Sequence, residues 1–255
     1  MIDLHCHILP GIDDGSYDME TSVQMAKDAK NAGFDTLFCS SHYLIPHYTS
    51  PKENNIKLIE DLRSKLQQEN IDINLKFANE IYINESILEL TRENQIANFE
   101  GTNYLLIELP LNQELRSAED IIEQVIDAGY RVILAHPERY AFVKKDPNRV
   151  IPFIEMGAVL QSNYESIMGR YGDDAKKTVQ KMLKAKMINV LATDCHRPNS
   201  IYTRMDNTRA ELIKQLDANY YEYLTEVNPQ KIANNEDIHR FEYSKIKNSI
   251  FSIFK

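Results

Sequence analysis

The chain has 255 residues, of which 43% are hydrophobic and 26% are charged, and its formal net charge is −9. This composition is typical of a globular protein, and the acidic balance argues against non-specific binding to nucleic acid or to an anionic membrane surface. The sequence shows neither a signal-peptide pattern nor a run of about eighteen apolar residues that could span a membrane. Its three cysteines, an odd number, do not predict a disulfide framework. We therefore expect a reduced, cytoplasmic protein with a single domain over residues 1–255.

Seven short β-like segments alternate with helix-like segments along the chain. In chain order they are MIDLHCH, FDTLFCSSH, INLKFANE, NYLLIELP, RVILAHP, GAVLQSN and MINVLATDCH. Such alternation predicts an α/β fold with a parallel sheet, whose strands are joined by right-handed crossovers. An open, doubly wound sheet and a closed barrel both fit this pattern.

The helix-like segments carry start and stop signals. Gly33 and Gly129 are placed to end two helices, and Ser117 is placed as the N-cap of the helix in SAEDIIEQVIDAG. One face of that helix is apolar and is expected to pack on the sheet. Its residues are Ile121, Ile122, Val125 and Ile126.

Six of the seven predicted strands end in residues that can bind a metal ion. These residues are His5, His7, His42, Glu80, Glu108, His136, Asp194 and His196. The sixth segment, which ends near Gln161, is the exception. Because the carboxyl ends of parallel strands converge on one face of a barrel, this placement favours a distorted barrel of about seven strands over an open sheet.

The spacing of the residues within two segments supports the same site. Side chains alternate along a strand, so His5 and His7 are expected to point the same way. Asp194 and His196 share one face for the same reason, with Cys195 turned away. Each segment therefore presents two potential ligands together.

The nature of these groups predicts a metal centre. Burying five histidines and several carboxylates together without a cation would be costly. Asp13 and Asp14, followed by Gly15, would by themselves predict a turn, but their nearness to the two histidines makes one of them a candidate ligand. A mixed imidazole and carboxylate set suits Zn²⁺, Mn²⁺ or Fe rather than Ca²⁺, and nine candidates suit two or three ions.

At these residues the sequence resembles the polymerase and histidinol phosphatase (PHP) superfamily, and more closely the bacterial manganese-dependent protein-tyrosine phosphatases of the CpsB/CapC family. The motifs that carry the resemblance are DLHCHILPGIDDG, SSHYLIPHYTSP, FANE, LLIELP, LAHPERY, QSNYESIMGRYG, ATDCH and NPQKIANN. The resemblance implies a distorted seven-stranded (β/α)7, TIM-like barrel, the PHP fold, in a single metallophosphatase domain.

The resemblance also implies three divalent metal ions, with manganese first and iron or zinc as alternatives. The implied ligands of the first ion are His5, His7, Glu80 and Asp194. A second ion would share Glu80 and take Glu108 and His136. The implied ligands of the third are Asp14, His42 and His196.

Arg139, in HPERY, matches the phosphate-contacting arginine of the family. The family has a second active-site arginine some residues beyond the D-x-H pair, whereas Arg197 here follows His196 directly. The alternatives left open are that Arg197, Arg204 or neither residue fills this role. The candidate catalytic residues are Arg139, Arg197, His136 and Asp194.

The implied activity is hydrolysis of phosphotyrosine by attack of a metal-bridging hydroxide on phosphorus. The implied partner is the phosphotyrosine tail of a membrane-associated tyrosine autokinase that regulates capsular or exopolysaccharide synthesis. Two alternatives stay open: a small-molecule phosphatase of the same fold, such as histidinol phosphatase, and a catalytically silent phosphotyrosine-binding module. A homo-oligomer is also left open.

The cysteines do not predict a thiol mechanism. Cysteine-dependent phosphatases hold phosphate in a C-x5-R loop, but isoleucine stands six residues after each of Cys6, Cys39 and Cys195. We expect these cysteines to be packing residues.

His47 and Tyr48, after the second strand, are candidates to border the cleft. The C-terminal stretch with Ile246, Ile250 and Phe254 at helical spacing is expected to be a helix that covers the barrel, with docking on a kinase as the alternative.

Overall fold

The computed structural model describes residues 1–247 and contains one sheet of seven parallel strands. Each strand pairs with the next one along the chain, so the order in the sheet is the order in the sequence. The strands are β1 (Ile2–Cys6), β2 (Thr36–Tyr43), β3 (Asn74–Tyr82), β4 (Tyr104–Glu108), β5 (Arg131–Ala135), β6 (Val159–Asn163) and β7 (Val190–Ala192). All seven predicted strands are confirmed.

The sheet closes on itself between its first and last strands. Cys6 and Cys195 form a parallel bridge, the His7 N–H donates to the Cys195 carbonyl over 2.9 Å, and the Asp194 N–H donates to the His5 carbonyl over 2.8 Å. A doubly wound sheet has two free edges, so this closure confirms the barrel. The barrel is distorted, because β7 has three residues and the pairing of β1 with β2 shifts register after Asp3.

The helices follow the strands around the outside of the barrel. They are α1 (Met19–Asn31), α2 (Lys52–Gln68), α3 (Ile87–Arg92), α4 (Ala118–Asp127), α5 (Ala141–Lys145), α6 (Ile151–Glu155), α7 (Tyr164–Ile167), α8 (Asp173–Lys184), α9 (Met205–Gln215), α10 (Ala218–Glu222) and α11 (Asn228–Ala233). Short 3₁₀ turns cover Pro137–Arg139, Pro147–Val150 and Tyr202–Arg204, and a π-helical turn covers Tyr223–Val227. No helix within residues 1–247 has the length and apolarity needed to cross a membrane.

Two hydrophobic clusters hold this arrangement together. The larger one lies between the sheet and the helices. The smaller one takes at least one residue from every strand, which is possible only inside the barrel; its strand members are Leu4, Phe38, Ala78, Tyr104, Leu106, Ile133, Ala135, Val159, Val190 and Ala192. The barrel interior is therefore a packed apolar core beneath the carboxyl ends of the strands.

Most of the expected helix signals are found in the structure. Gly33 and Gly129 adopt positive φ angles of 87° and 92° just after α1 and α4, as a helix-ending glycine does. The apolar face of α4 is buried, apart from its partly buried last residue, Ile126. Ser117 is the N-cap residue of α4, as predicted, but its side chain makes no capping hydrogen bond.

The last described segment, residues 241–247, runs along the outside of the barrel without forming a helix. This contradicts the helical assignment for this part, although Ile246 does pack on the larger cluster. Ile246 is held by two hydrogen bonds with the side chain of Asn148. Ile250 and Phe254 lie outside the described residues.

Candidate metal centre

Four buried side chains meet at the carboxyl ends of β1, β3 and β7. The Nε2 atoms of His5 and His7 lie 3.1 Å apart. Glu80 Oε2 is 3.2 Å from each of these nitrogens, and Asp194 Oδ1 is 3.4 Å from each. All four groups are buried and lie within 4.8 Å of one another. His5, in β1, and His7, just after it, therefore point to the same place, as the alternation of side chains predicts.

A second group lies nearer to solvent and shares His7 with the first. Asp14 Oδ1 is 3.5 Å from His42 Nε2 and 3.3 Å from His196 Nε2, and all four groups lie within 4.8 Å of one another. The Asp14 side chain is about half exposed, at 51%. This group therefore forms the outer side of the centre.

A third group surrounds the other oxygen of Glu80. His136 Nε2 is 2.9 Å from Glu80 Oε1 and 3.8 Å from Glu108 Oε1. One potential ligand atom of His42 also lies within 4.8 Å of ligand atoms of Glu80 and Glu108, so His42 reaches this group as well. Glu80 lies between the groups and contacts members of all three.

Gly15 allows the Asp13–Gly15 loop to lie against His7. A Cβ at Gly15 would lie 2.2 Å from the His7 carbonyl oxygen, so only glycine fits there. Asp13 accepts hydrogen bonds from His7 Nδ1 over 2.9 Å and from the His42 N–H over 3.0 Å. Asp13 is thus the orienting carboxylate of His7, and Asp14 is the one that joins the cluster.

Strand β6 contributes no candidate ligand, but its amide side chains orient two candidate ligands of the neighbouring segments, Asp194 and His5. Asn163 Nδ2 donates to Asp194 Oδ2 over 2.6 Å, so Asn163 Oδ1 faces Gln161 Nε2 and accepts from it over 2.8 Å. Gln161 Oε1 then lies 3.0 Å from His5 Nδ1 and must accept the proton of that nitrogen. The lone pair of His5 is therefore on Nε2, which faces the centre.

The same tautomer follows for two other imidazoles. His7 Nδ1 donates to the Asp13 carboxylate, and His196 Nδ1 lies 2.9 Å from the Asp194 carbonyl, which can only accept. Their Nε2 lone pairs also face the cluster. When both imidazoles are neutral, these two lone pairs on His5 and His7, 3.1 Å apart, repel each other unless a proton or a metal ion lies between them.

Unpaired atoms give a second indication that the donor set fits metal ions. Within residues 1–247, four buried atoms of the candidate ligands have no hydrogen-bond partner: His42 Nδ1, Glu80 Oε2, His136 Nδ1 and Asp194 Oδ1. Buried polar atoms of this kind are normally satisfied. Imidazole nitrogens and carboxylate oxygens are ligands of Zn²⁺, Mn²⁺ and Fe, so the residues fit a divalent transition-metal centre.

The charges of the cluster are strongly perturbed. Burial lowers the pKa of His5, but the Glu80 and Asp194 carboxylates outweigh it and raise this pKa to about 9. Burial, together with Glu80, raises the pKa of Glu108 to about 8. Burial and the Arg139 guanidinium lower the pKa of His136 to about 4. Such opposed shifts within a few ångströms are typical of a functional site.

Arg139 lies at the wall of a cavity of about 210 Å³ that reaches Asp194 and His196. Its Nη1 donates to Asp194 Oδ2 over 2.8 Å, and its guanidinium carbon lies 4.4 Å from the centre of the Tyr171 ring. The ion pair and the ring hold the guanidinium beside the candidate metal ligands. This position suits contact with an anion in the cavity.

Arg197 and Arg204 occupy different positions. Arg197 Nη1 donates to the carbonyls of Asp14 and His196 over 2.7 Å each, and its guanidinium carbon lies 4.1 Å from the centre of the Tyr17 ring. Arg197 therefore ties the Asp14 loop to the segment after β7. Arg204 pairs with Glu165 over 3.5 Å and lines a neighbouring cavity.

Sequence reasoning missed the residues that orient the ligands. They are Glu138, Gln161, Asn163 and Tyr171, together with Asp13, which the sequence presented only as a candidate ligand and which orients His7 instead. Glu138 is buried and accepts hydrogen bonds from the Asn163 N–H over 3.0 Å and from Ser162 Oγ over 2.8 Å, which clamps the end of β6. The only signal was the exception made by the sixth strand, which ends in amides, and it pointed to Gln161 and Asn163 alone.

Two residues of the loop after β2, and the three cysteines, were also singled out in the sequence. Tyr48 stacks on His42 with ring centres 5.8 Å apart and borders the centre, whereas His47 is exposed. The three cysteines are free and buried, as expected of packing residues.

Together, the closed seven-stranded barrel and the cluster at its carboxyl end define an α/β-barrel protein with a candidate metal centre. A family model described as capsular polysaccharide synthesis, CpsB/CapC, matches residues 1–234, and the chain belongs to this family. It is 29% identical to the tyrosine-protein phosphatase YwqE of Bacillus subtilis (strain 168), over the full length of both chains. It is 25% identical to the tyrosine-protein phosphatase CpsB of Streptococcus pneumoniae, over 92% of this chain and 99% of that one.

Solved structures agree with this assignment. YwqE from Bacillus subtilis and CpsB from Streptococcus pneumoniae have crystal structures, and both proteins are described there as unique metal-dependent tyrosine phosphatases. This chain matches a chain from those crystal structures with a TM-score of 0.91 and 27% identity, over 97% of its own length and 100% of the matched chain. A dihydropyrimidinase from Brevibacillus agri NCHU1002 has a TM-score of 0.53 at 10% identity, covering 95% of this chain and 73% of that one, and shares the fold alone.

Proposed function

We propose that this chain is a metal-dependent protein-tyrosine phosphatase. The observation that carries the proposal is the convergence of imidazoles and carboxylates at the barrel mouth, in a chain whose relatives are named tyrosine-protein phosphatases. The proposed domain spans residues 1–255, because strands and site residues from nearly the whole described chain contribute to one barrel.

The proposed cofactors are three divalent ions, with Mn²⁺ as the first choice. The nine residues that would hold them are His5, His7, Asp14, His42, Glu80, Glu108, His136, Asp194 and His196. When bound, divalent ions supply Lewis acidity, which activates a water molecule for attack and neutralises charge on phosphoryl oxygens. Glu80 contacts all three groups and is the proposed shared ligand.

The residues of the chain itself bind and orient the phosphoryl group. Arg139 is held by Asp194 and Tyr171, so its remaining N–H groups can donate to phosphoryl oxygens without a change of rotamer. Arg197 supports the site by holding the Asp14 loop in place. His136 and Asp194 act as ligands, and Asp194 also positions Arg139.

The leaving group in this proposal is a tyrosine phenolate. The pKa of free tyrosine is about 10, so the phenolate departs with little acid assistance. The cavity of about 210 Å³ is bordered by Tyr171, which offers an aromatic surface for the ring of the substrate. These features favour an aryl phosphate over an alkyl phosphate.

The proposed physiological partner is the phosphotyrosine tail of a membrane-associated tyrosine autokinase that controls capsular or exopolysaccharide synthesis. The family description, capsular polysaccharide synthesis, supports this partner. A cytoplasmic location is proposed with it, supported by the three free, buried cysteines.

The test is phosphatase activity after chelation and re-addition of Mn²⁺, Zn²⁺ or Fe²⁺, with a phosphotyrosine peptide and histidinol phosphate side by side. We expect metal-dependent hydrolysis of the peptide, and loss of most activity in His136→Ala with an unchanged circular dichroism spectrum. His239→Ala is the matched control, because His239 is exposed and outside the cluster. Faster turnover of histidinol phosphate would favour the small-molecule phosphatase, and peptide binding without turnover would favour the silent module.

A further inference from the structure

A second cavity lies beside the cavity of the candidate metal centre. Its volume is about 310 Å³, and it is formed by the segment after β6 and the start of α9. The two cavities share Glu165 and Arg170 in their walls. A molecule seated in the first cavity is thus adjacent to the second.

The second cavity carries more positive than negative charge. Arg170 and Arg204 both line it, and Glu165 is its only acidic residue. Arg204 lies 3.5 Å from Glu165 Oε1 and donates to the Ser200 carbonyl over 3.1 Å. Arg170 is exposed and forms no ion pair with any residue from 1 to 247, so its guanidinium is free to bind an anion. Asp173 follows closely in sequence but lines neither cavity.

The remaining walls are apolar or neutral. Met168, with 45% of its surface exposed, and Ile201 form an apolar side, while Asn207 and Thr208 supply neutral polar groups. A glutamate side chain matches this combination, because its methylene groups can pack on Met168 while its carboxylate reaches a guanidinium. This local positive charge contrasts with the formal net charge of −9 of the whole chain.

We propose that this second cavity is a substrate subsite that binds an acidic side chain flanking the phosphotyrosine of the same peptide. The proposal rests on the phosphatase function proposed above. An extended peptide advances about 3.3 Å per residue, so a side chain one to three positions away can reach an adjoining cavity. Arg170, at the boundary of the two cavities, is the main specificity-determining residue, and Arg204 is the second.

The test compares kcat/KM for matched phosphotyrosine peptides at low ionic strength. One pair of peptides carries Glu or Gln at the two positions before the phosphotyrosine, and a second pair carries them at the two positions after it. We expect the Mn²⁺-loaded wild-type enzyme to favour Glu on at least one side by about tenfold, and added salt to reduce this preference.

The variants separate the subsite from general effects of charge. Arg170→Gln should lower the Glu-to-Gln ratio of kcat/KM by about threefold. Arg170→Glu should reverse the charge preference, so that this variant favours a peptide with Lys over the matched peptide with Gln. Lys214→Gln is the matched control: it removes one positive charge at an exposed position of α9, about 10 Å along the helix from Asn207 of the cavity, and should leave the ratio unchanged.

The outcomes distinguish this proposal from the proposed function. Equal kcat/KM for the Glu and Gln peptides in the wild type would overturn the subsite and leave the phosphatase function standing. A preference of undiminished size in both Arg170→Gln and Arg204→Gln would also overturn it. Absence of turnover with every peptide would overturn both proposals.

Discussion

The amide chain of β6 leads to a specific prediction about the substitution Gln161→Met. Methionine has a similar volume, but it can neither accept the proton of His5 Nδ1 nor donate to Asn163 Oδ1. These two hydrogen bonds have lengths of 3.0 Å and 2.8 Å, and all three side chains are buried. The substitution therefore leaves two buried polar groups without partners and leaves the tautomer of His5 undetermined.

The expected effects are a loss of stability and a loss of metal affinity. Each unsatisfied group costs about 1–3 kcal/mol, and we expect a total of about 2 kcal/mol because methionine keeps the space filled. Loss of a group that orients a ligand lowers metal affinity by about 10-fold to 100-fold. Calorimetric titration of the metal-free protein with Mn²⁺ measures the affinity, and thermal unfolding of the same protein measures the stability.

Asn228→Leu serves as the control for stability alone. Asn228 is a buried amide that bonds to the Asn189 carbonyl and to the His239 backbone, and Asn189 precedes β7 at the opposite end of the barrel. This variant should lose comparable stability and keep wild-type affinity for Mn²⁺. If Gln161→Met also binds Mn²⁺ as the wild type does, the assigned tautomer and the role of the amide chain are wrong.

Two further predictions concern titration and the thiols. Because His5 has a pKa of about 9, it carries a proton below that pH in the metal-free protein, and a metal ion must displace it. Metal affinity should therefore rise between pH 6 and pH 9 with release of protons, and a constant affinity in calorimetry would contradict this. Burial raises the pKa of Cys195 to about 12 and those of Cys6 and Cys39 well above the usual range. Iodoacetamide at pH 8 should leave the native enzyme active and unlabelled by mass spectrometry, and rapid inactivation would argue for a reactive thiol.

The barrel and the candidate ligands could be predicted because both depend on short-range patterns. Alternation along a strand is a property of the backbone, so His5 and His7 had to share a side once β1 was a strand. Strand ends of a parallel sheet converge whatever the sequences of the helices. Glu80, Glu108 and His136 could therefore be assigned to one place without knowledge of any contact.

The orienting residues could not be predicted, because their roles depend on contacts between distant segments. Whether Asn163 bonds to Asp194 depends on how β6 and β7 meet, and an asparagine in the sequence carries no sign of this. The same applies to Arg197, whose guanidinium is committed to carbonyls of a loop near the N-terminus. Ser117 shows the converse limit: a favourable residue stood at the right position and its side chain still made no cap.

The seam between β1 and β7 links assembly of the centre to completion of the fold. His5 comes from the first strand and Asp194 from the segment after the last one, yet they belong to the same buried group. A chain emerging from the ribosome therefore cannot form this group until its seventh strand has been synthesised and has docked. Ions that bind only the finished arrangement stabilise it against opening at the seam, so cation supply should influence how long the closed molecule survives.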